Sequence, residues 1–218
     1  INIVEPNRKF SVSQYKKLAD RKIKEILSRG KTPIICGGTG FYIDAVVNGQ
    51  IFPEVPPNLA LRRKLVQKPT IVVFRTLMKL DPKRAKSIDP NNKVRLIRAI
   101  EIAKALGKVP KIKINEPKYD FIKIGLFLPK DKLRKNIEKR VKKMFEAGLL
   151  KEIKKLKNAG VSKNRLKEFG FEYNNPTYES VVSESIKYAK RQMTWFKRDK
   201  EIKWFDASKK INLEKFLR

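Results

Sequence analysis

Three glycines and a threonine form the segment GGTG at residues 37–40, which is the first candidate for chemistry. The apolar run PIIC before it and the run FYIDAVVNG after it predict a strand, a tight loop and a helix. Glycines in such a loop let backbone N–H groups approach an anion, and the helix N-terminus favours negative charge. The lysine and hydroxyl of the Walker pattern are missing, so this is not the nucleotide loop itself. A substrate-facing loop and a purely structural turn both stay open.

Two arginines, Arg95 and Arg98, lie one helical turn apart in the segment VRLIRAIEI, where Leu96 and Ile100 belong to the buried side. Such guanidinium groups can bind phosphates in a bidentate manner, or the pair can occupy a solvated face. A third arginine, Arg140, falls among apolar neighbours in a helix rich in lysine. Arginine where lysine would serve for solubility indicates a geometric task.

Basic and aromatic residues are interleaved in the segment KYAKRQMTWFKRDKEIKWF near the C-terminus. Base stacking together with phosphate contacts is typical of proteins that bind single-stranded RNA. The aromatic residues are Tyr188, Trp195, Phe196 and Trp204. Trp195 and Phe196 can equally fill the core beneath a sheet, so both interpretations stay open.

The scaffold for these residues is predicted from apolar periodicity. It indicates a helix over 13–29, a buried strand over 33–36 with Cys36 in the core, a helix over 41–49 and a returning strand over 119–128. Helix, strand, loop and helix in this order predict a parallel α/β sheet.

A proline-rich segment, IFPEVPPN, changes the character of the chain and marks a lobe boundary. It divides the chain into a first core part at 1–54, an inserted helical lobe at 55–118 and a second core part at 119–218. The second core part is predicted to hold one helix over 130–158 or two joined at Gly148, a helix over 177–198, a strand at IKWFD and a short terminal helix.

Charge and composition limit the classes of function. Lys and Arg number 53 against 22 Asp and Glu, and the net charge of +31 favours a polyanionic partner unless the lysines are merely solvated. With no histidine and the single Cys36, zinc sites and Ser-His or Cys-His catalysis are excluded. No stretch approaches the roughly 20 apolar residues of a membrane span and no signal pattern opens the chain, so we expect a cytoplasmic protein.

Several long segments, in this order, resemble the tRNA dimethylallyltransferase (tRNA isopentenyltransferase) family over nearly the whole chain. They are PIICGGTGFYIDAVVNG, PPNLALR, DPKRAKSIDPNNKVRLIRAIEIAKALGK, RKNIEKRVKKMFEAGLLKEI, EFGFEY and AKRQMTWFKR. The resemblance implies an α/β fold with a P-loop NTPase-like parallel-sheet core and an inserted small helical lobe, and it makes the lobe at 55–118 the tRNA-binding lobe.

The resemblance also implies a reaction and its partners. A dimethylallyl group would pass from dimethylallyl diphosphate to N6 of the adenosine beside the anticodon of tRNA, with diphosphate leaving. Such a displacement needs Mg²⁺ and Arg or Lys donors for the departing charge, and a group that takes the amine proton. The implied partners are the tRNA anticodon stem-loop and dimethylallyl diphosphate, with no membrane, and we expect a monomer.

Site residues follow from the resemblance position by position. Arg140 matches an arginine that handles the diphosphate, and Thr39 matches a position beside the channel where the two substrates meet, so both are expected at the catalytic centre. Gly37, Gly38 and Gly40 then form a substrate-facing loop, and no metal ligand is implied among the residues present. The implied tRNA contacts are Thr39, Arg62, Val94, Arg95, Leu96, Ile97, Arg98, Phe169, Gly170, Phe171, Glu172 and Tyr173.

The main departure of the sequence from the family is a pair of missing segments. The family's G-P-T-A-S-G-K-T loop and D-S-x-Q-x-Y segment, which hold the phosphate-binding amides, a catalytic threonine and the aspartate base, are absent from it. We therefore expect the chain as it stands to lack transferase activity. An adenylate isopentenyltransferase acting on a free nucleotide and a non-catalytic RNA-binding module stay open as alternatives, although the charge favours a polyanionic acceptor.

Overall fold

The computed structural model describes residues 3–114 and 118–212, and the chain divides into two compact units. The first unit comprises Ile1–Val47 and Pro117–Arg218, and the second comprises Asn48–Glu116. The short helix predicted at the C-terminus falls at 213–218, outside the described residues.

The first unit begins with two helices. Helix α1 spans Val12–Leu27 and starts at a capping box, in which the Ser11 hydroxyl accepts from the Gln14 amide and the Gln14 side chain accepts from the Ser11 amide. Helix α2 spans Gly40–Val47 and ends before Gly49, whose φ of 57° is left-handed. Both helices predicted here are confirmed.

A parallel pair of strands forms the sheet of the first unit. Strand β3, Ile124–Phe127, pairs with strand β4, Lys203–Asp206, in the register Ile124↔Lys203 to Phe127↔Asp206. A Cβ at Gly125 would lie 2.6 Å from the Trp204 ring, so only glycine allows this ring to lie against β3. The predicted strand at 119–128 is therefore real but shorter.

The segment PIIC differs from its prediction. Residues 31–39 contain neither helix nor strand, Ile34 is 86% exposed, and Cys36 is exposed as well. A strand needs a neighbour for its N–H and C=O groups, and no strand of the described ranges pairs with this segment. The buried strand at 33–36 and the core position of Cys36 are therefore wrong, because apolar composition alone cannot supply a pairing partner.

The helices of the first unit contain two hydrophobic clusters. Ile137, Val141 and Val181 lie at the centre of one cluster, and Leu149 and Leu166 at the centre of the other. The region predicted as one or two helices forms two, separated at Gly148, where φ is 98°. The helices are α7 Lys130–Glu146, α8 Leu149–Asn158, α9 Lys163–Phe169 and α10 Tyr178–Phe196, with a 3₁₀ turn at Phe171–Tyr173.

The second unit is a helical lobe with a small antiparallel pair of strands. Its core contains Leu77, Leu96 and Ile100, none of which has exposed surface. Asp81 ends one helix and caps the next by accepting from the Arg84 amide, and Pro82 occupies the first position of that next helix. The elements are β1 Gln50–Ile51, α3 Leu59–Val66, α4 Thr70–Leu80, α5 Pro82–Lys86, α6 Lys93–Leu106 and β2 Lys113–Ile114.

No helix among the described residues is both long and apolar enough to cross a membrane.

Candidate functional site

The GGTG loop lies against helix α10. The Gly38 carbonyl accepts a 3.1 Å hydrogen bond from the Gln192 side chain, and a Cβ at Gly38 would overlap the same amide. A Cβ at Gly40 would lie 2.2 Å from the Trp195 ring, whereas one at Gly37 would point into open space. Packing therefore accounts for two of these glycines, and Gly37 alone stays free to approach a ligand.

Thr39 occupies the exposed tip of this loop. Its carbonyl accepts from the Tyr42 and Ile43 amides and so begins helix α2. Its hydroxyl has no hydrogen-bond partner among the described residues. The side chain is thus placed where it can meet a substrate, and the substrate contact stays a prediction.

Trp195 joins α10 to α2 through a buried polar contact. Its Nε1–H donates a 2.9 Å hydrogen bond to Asp44 Oδ2. Burial raises the pKa of the Asp44 carboxyl, and this hydrogen bond from Trp195 opposes the rise. Trp195 therefore has the packing role that the sequence left open beside RNA stacking.

Arg140 lies exposed on a cationic stripe of helix α7. Its Nη2 donates a 3.3 Å hydrogen bond to the Oγ of Ser185, a buried residue of α10. The stripe faces a concavity of about 440 Å³, and its residues recur every three or four positions, so they share one helix face. The lining residues are Asn136, Lys139, Arg140, Lys143, Met144 and Ala147.

Helix α10 contacts both Arg140 and the GGTG loop. Ser185 bonds Arg140 and Gln192 bonds Gly38, and these two helix residues lie seven positions apart, on the same face. At 1.5 Å per residue the separation along the helix is about 10 Å. The first unit thus holds its predicted diphosphate-binding arginine and its substrate loop along one helix face.

The segment predicted to contact RNA at 169–173 is half-buried. Phe169 stacks edge-to-face on Tyr173 at 5.7 Å and lies beneath the Arg165 guanidinium at 4.8 Å. The Tyr173 hydroxyl lies 3.0 Å from Glu152, and Phe171 packs against the α7–α10 cluster. The rings of this segment are thus used in packing, and its RNA contact stays a prediction.

In the second unit, two arginines share one buried carboxylate. The Glu101 side chain is 1% exposed, and it binds Arg62 through two hydrogen bonds of 2.7 and 2.8 Å and Arg98 through one of 3.2 Å. The Asn58 amide donates a fourth bond at 2.8 Å, and Arg98 also donates to the Val55 carbonyl. Burial raises the pKa of Glu101, but the bonds from Arg62, Asn58 and Arg98 hold it below its ordinary value.

The stretch Val94 to Arg98 divides between surface and core. Val94 and Arg95 are exposed, and Arg98 is partly so. Leu96 and Ile97 are 0% and 5% exposed and pack in the core of the lobe. The helix period turns these two side chains inward, and the RNA contact predicted for the stretch stays a prediction.

Within 3–114 and 118–212, no three Asp, Glu, His or Cys side chains come together in a way that could hold a metal ion. Mg²⁺ is usually bound through one or two carboxylates together with substrate phosphates. The lack of a three-ligand cluster does not bear on a site of that kind, and the Mg²⁺ requirement stays a prediction.

Sequence reasoning missed the residues that hold the predicted ones in place. Glu101 lies inside the RLIRAIEI motif, and a carboxylate among apolar positions of an amphipathic helix was a usable signal. Gln192 and Ser185 gave no such signal, because their partners are more than 40 residues away in sequence.

Comparison with known proteins identifies the family of the chain. The model of the IPP transferase family matches residues 1–199. A tRNA dimethylallyltransferase of Halothermothrix orenii is 38% identical to the chain, over 95% of the chain and 70% of the relative.

Two solved structures are similar as well. The tRNA isopentenylpyrophosphate transferase of Bacillus halodurans has 32% identity and a TM-score of 0.59, over 94% of this chain and 70% of that one. A eukaryotic dimethylallyltransferase acting on tRNA has 26% identity and a TM-score of 0.76, over 95% of this chain and 59% of that one. These likenesses confirm the predicted α/β, P-loop NTPase-like class. The family match takes in residues of both units, and the chain therefore belongs to the IPP transferase family, as its motifs predicted.

Proposed function

We propose that the chain provides the donor-binding and tRNA-binding parts of an enzyme that transfers a dimethylallyl group from dimethylallyl diphosphate to N6 of the adenosine beside the anticodon of tRNA. The observation that carries the proposal is the 38% identity, over 95% of the chain, to a tRNA dimethylallyltransferase. The net charge of +31 agrees with a polyanionic acceptor, because each phosphate neutralised by Lys or Arg releases counterions and favours binding.

The reaction is a displacement at the allylic carbon. The N6–C bond forms while the bond from that carbon to the diphosphate oxygen breaks, and the bonding electrons leave with the diphosphate. The amine loses one proton to a base, to which we assign no residue of this chain. Neutralising the leaving charge is the task of the protein, and donors fixed before reaction do so most effectively.

The α7 stripe supports a role in donor binding. Arg140, Lys139 and Lys143 put three cations on one face, and Met144 and Ala147 add apolar surface beside them. This combination suits a ligand with a diphosphate at one end and a five-carbon chain at the other. We assign the diphosphate to Arg140, because its planar guanidinium can bind phosphate oxygens in pairs.

RNA contact is assigned to exposed cations of the lobe and to the exposed loop residue of the first unit. Arg95 is exposed, and Arg62 and Arg98 retain 30% and 35% of their side-chain surface. Thr39 presents its hydroxyl at the tip of the GGTG loop. The cytoplasmic location, the monomeric state and Mg²⁺ remain predictions, and no step above depends on them.

Two substitutions test the separation of roles. Arg140→Ala should weaken binding of dimethylallyl diphosphate, measured by calorimetry, and leave stem-loop RNA binding nearly unchanged. Arg95→Ala should weaken binding of an unmodified anticodon stem-loop in a gel-shift titration and spare the donor. Equal effects of either substitution on both ligands would contradict the assignment.

The alternatives differ in acceptor and in turnover. An adenylate isopentenyltransferase should bind AMP in preference to the stem-loop. A non-catalytic module should bind the RNA but transfer no prenyl group, even in a chain extended upstream of residue 1. Stem-loop binding at low salt together with transfer by the extended chain supports the proposal.

A further inference from the structure

The lobe contains a charge cluster that the proposed reaction does not use directly. Glu101 accepts four hydrogen bonds, two at each oxygen, from Arg62, Arg98 and the Asn58 amide. A carboxylate has about four lone-pair positions, so this one is saturated. It is buried as well, and it therefore has no position left to act as a base or to compete for a ligand.

The two arginines, by contrast, are only partly occupied. A guanidinium carries about five N–H groups. Arg62 uses two on Glu101, and Arg98 uses one on Glu101 and one on the Val55 carbonyl. The remaining N–H groups of both have no acceptor among the described residues, and about a third of each side chain is exposed.

The cluster carries a net positive charge, which favours an anionic ligand. One arginine would neutralise Glu101, yet two are present, and the carboxylate is on the buried side of both. Fixing a long side chain on binding normally costs about 0.5–1.5 kcal/mol. Here the side chains are already fixed by hydrogen bonds before any ligand arrives.

We propose that Glu101 is a positioning residue that fixes Arg62 and Arg98 as a single two-guanidinium clamp for one phosphodiester of the RNA. This inference rests on the proposed function, because it assigns the ligand as RNA backbone. The competing explanation is a structural ion cluster that joins the 55–58 segment, α3 and α6 and binds nothing else.

The main test is Glu101→Gln, which keeps the shape and one acceptor oxygen. We expect the Kd for an unmodified anticodon stem-loop to rise about tenfold, which equals about 1.4 kcal/mol, since two side chains must then be ordered on binding. Electrostatics alone predicts a lower Kd, because losing a negative charge near phosphates strengthens their binding.

Glu25→Gln is the matched control. Glu25 lies on α1 and also accepts from two cations, Lys22 and Arg29, but it is 45% exposed. The same change of charge there should leave the Kd unchanged or slightly lower. A tenfold loss in this control would contradict the inference, because it would show that replacing a paired carboxylate weakens RNA binding even where no clamp is proposed.

A double-mutant cycle separates positioning from stability. In a chain that already carries Arg62→Ala and Arg98→Ala, Glu101→Gln should cause no further loss of RNA affinity. In a chain that carries Arg95→Ala, it should still cause about tenfold, since no described contact joins Arg95 to Glu101. Equal losses in all backgrounds would identify the cluster as structural only.

Arg62→Lys covers the case in which the Glu101 variant fails to fold. Lysine keeps the charge but cannot bind a carboxylate and a phosphate as a planar fork, so the Kd should rise, whereas Arg63→Lys, the exposed neighbour, should not change it. An Arg62→Lys variant with native affinity would overturn the clamp.

The clamp and the proposed function can fail separately. If the unsubstituted chain does not bind the stem-loop at low salt, both fail. If it binds the RNA but Glu101 shows no coupling to Arg62 and Arg98, the clamp alone is overturned.

Discussion

Arg62 and Arg98 in the lobe are held in a very different way from Arg140 in the first unit. The lobe arginines bind a carboxylate that is 1% exposed, at distances of 2.7 to 3.2 Å. Arg140 is exposed and has one 3.3 Å contact to a neutral hydroxyl. The lobe arginines are thus fixed by short bonds to a group of opposite charge, one of them bidentate, whereas Arg140 has a single longer bond and is freer to move.

The difference agrees with the ligand proposed for each region. A folded RNA presents phosphates at fixed positions, and a rigid clamp loses little entropy on meeting one. The diphosphate of the donor carries several oxygen acceptors, and its binding can fix the Arg140 side chain before the reaction begins. In the first unit, packing has the fixing role that charge has in the lobe, since Trp195 and Gln192 hold the GGTG loop.

Removing the hydrogen-bond acceptor of the arginines in each region should give the largest difference in the free energy of unfolding. Glu101→Ala should lower the free energy of unfolding by about 3 kcal/mol, because it removes four bonds from a buried carboxylate. Ser185→Ala should lower it by less than about 1 kcal/mol. Urea unfolding followed by far-UV circular dichroism checks both.

Fluorescence adds a control, because both tryptophans, Trp195 and Trp204, lie in the first unit. Glu101→Ala should therefore change the dichroism transition more than the fluorescence transition. Equal losses for Glu101→Ala and Ser185→Ala would show that the two regions are held equally firmly.

Two glycines of the GGTG loop test whether packing fixes this loop in the first unit. Gly40→Ala should destabilise the chain by about 2 kcal/mol, because its Cβ would lie 2.2 Å from the rigid Trp195 ring. Gly37→Ala should stay within about 0.5 kcal/mol, because its Cβ meets open space. Thermal unfolding of both variants checks the order, and a Gly37→Ala variant as unstable as Gly40→Ala would contradict the contacts described.

The same substitution in the two regions gives a finer test. Arg62→Lys replaces a two-bond fork on Glu101 with a point charge and should lower the free energy of unfolding by about 1 kcal/mol. Arg140→Lys should change it by less than about 0.3 kcal/mol, since an exposed contact to a hydroxyl contributes little. Similar stability losses in both variants, measured by urea unfolding, would remove the distinction between fixed and free arginines.

The sequence predicted the parts of the fold that depend on local pattern. The joint at Gly148 follows from glycine geometry, and the inward turn of Leu96 and Ile100 follows from the helix period. The segment PIIC shows the limit, because a strand depends on a partner that the pattern of one segment does not contain.

The candidate site divides in the same way. The motifs located Thr39, Arg62, Arg98 and Arg140, because a resemblance is carried by residue types in order. They did not locate Glu101 as the acceptor for Arg62, since the two lie 39 positions apart and meet only in the folded lobe.

Acid should distinguish the two regions by the sign of its effect, which is the smallest of the expected differences. The folded pKa of Glu101 lies below its ordinary value of about 4.3, so its stabilisation is present above that pH and is lost as the pH falls through the folded value. The folded pKa of Asp44 is raised by burial above about 3.9, so its contribution is present at lower pH and is lost as the pH rises.

Between pH 3 and 6, the stability deficit of Glu101→Gln relative to the unsubstituted chain should therefore shrink as the pH falls. Any advantage of Asp44→Asn should also fade with acid, because protonation gives the unsubstituted chain the same neutral group beside Trp195. Urea unfolding across this pH range measures both differences, and a Glu101→Gln deficit that grows in acid would show that Glu101 is not ionised in its cluster with Arg62 and Arg98.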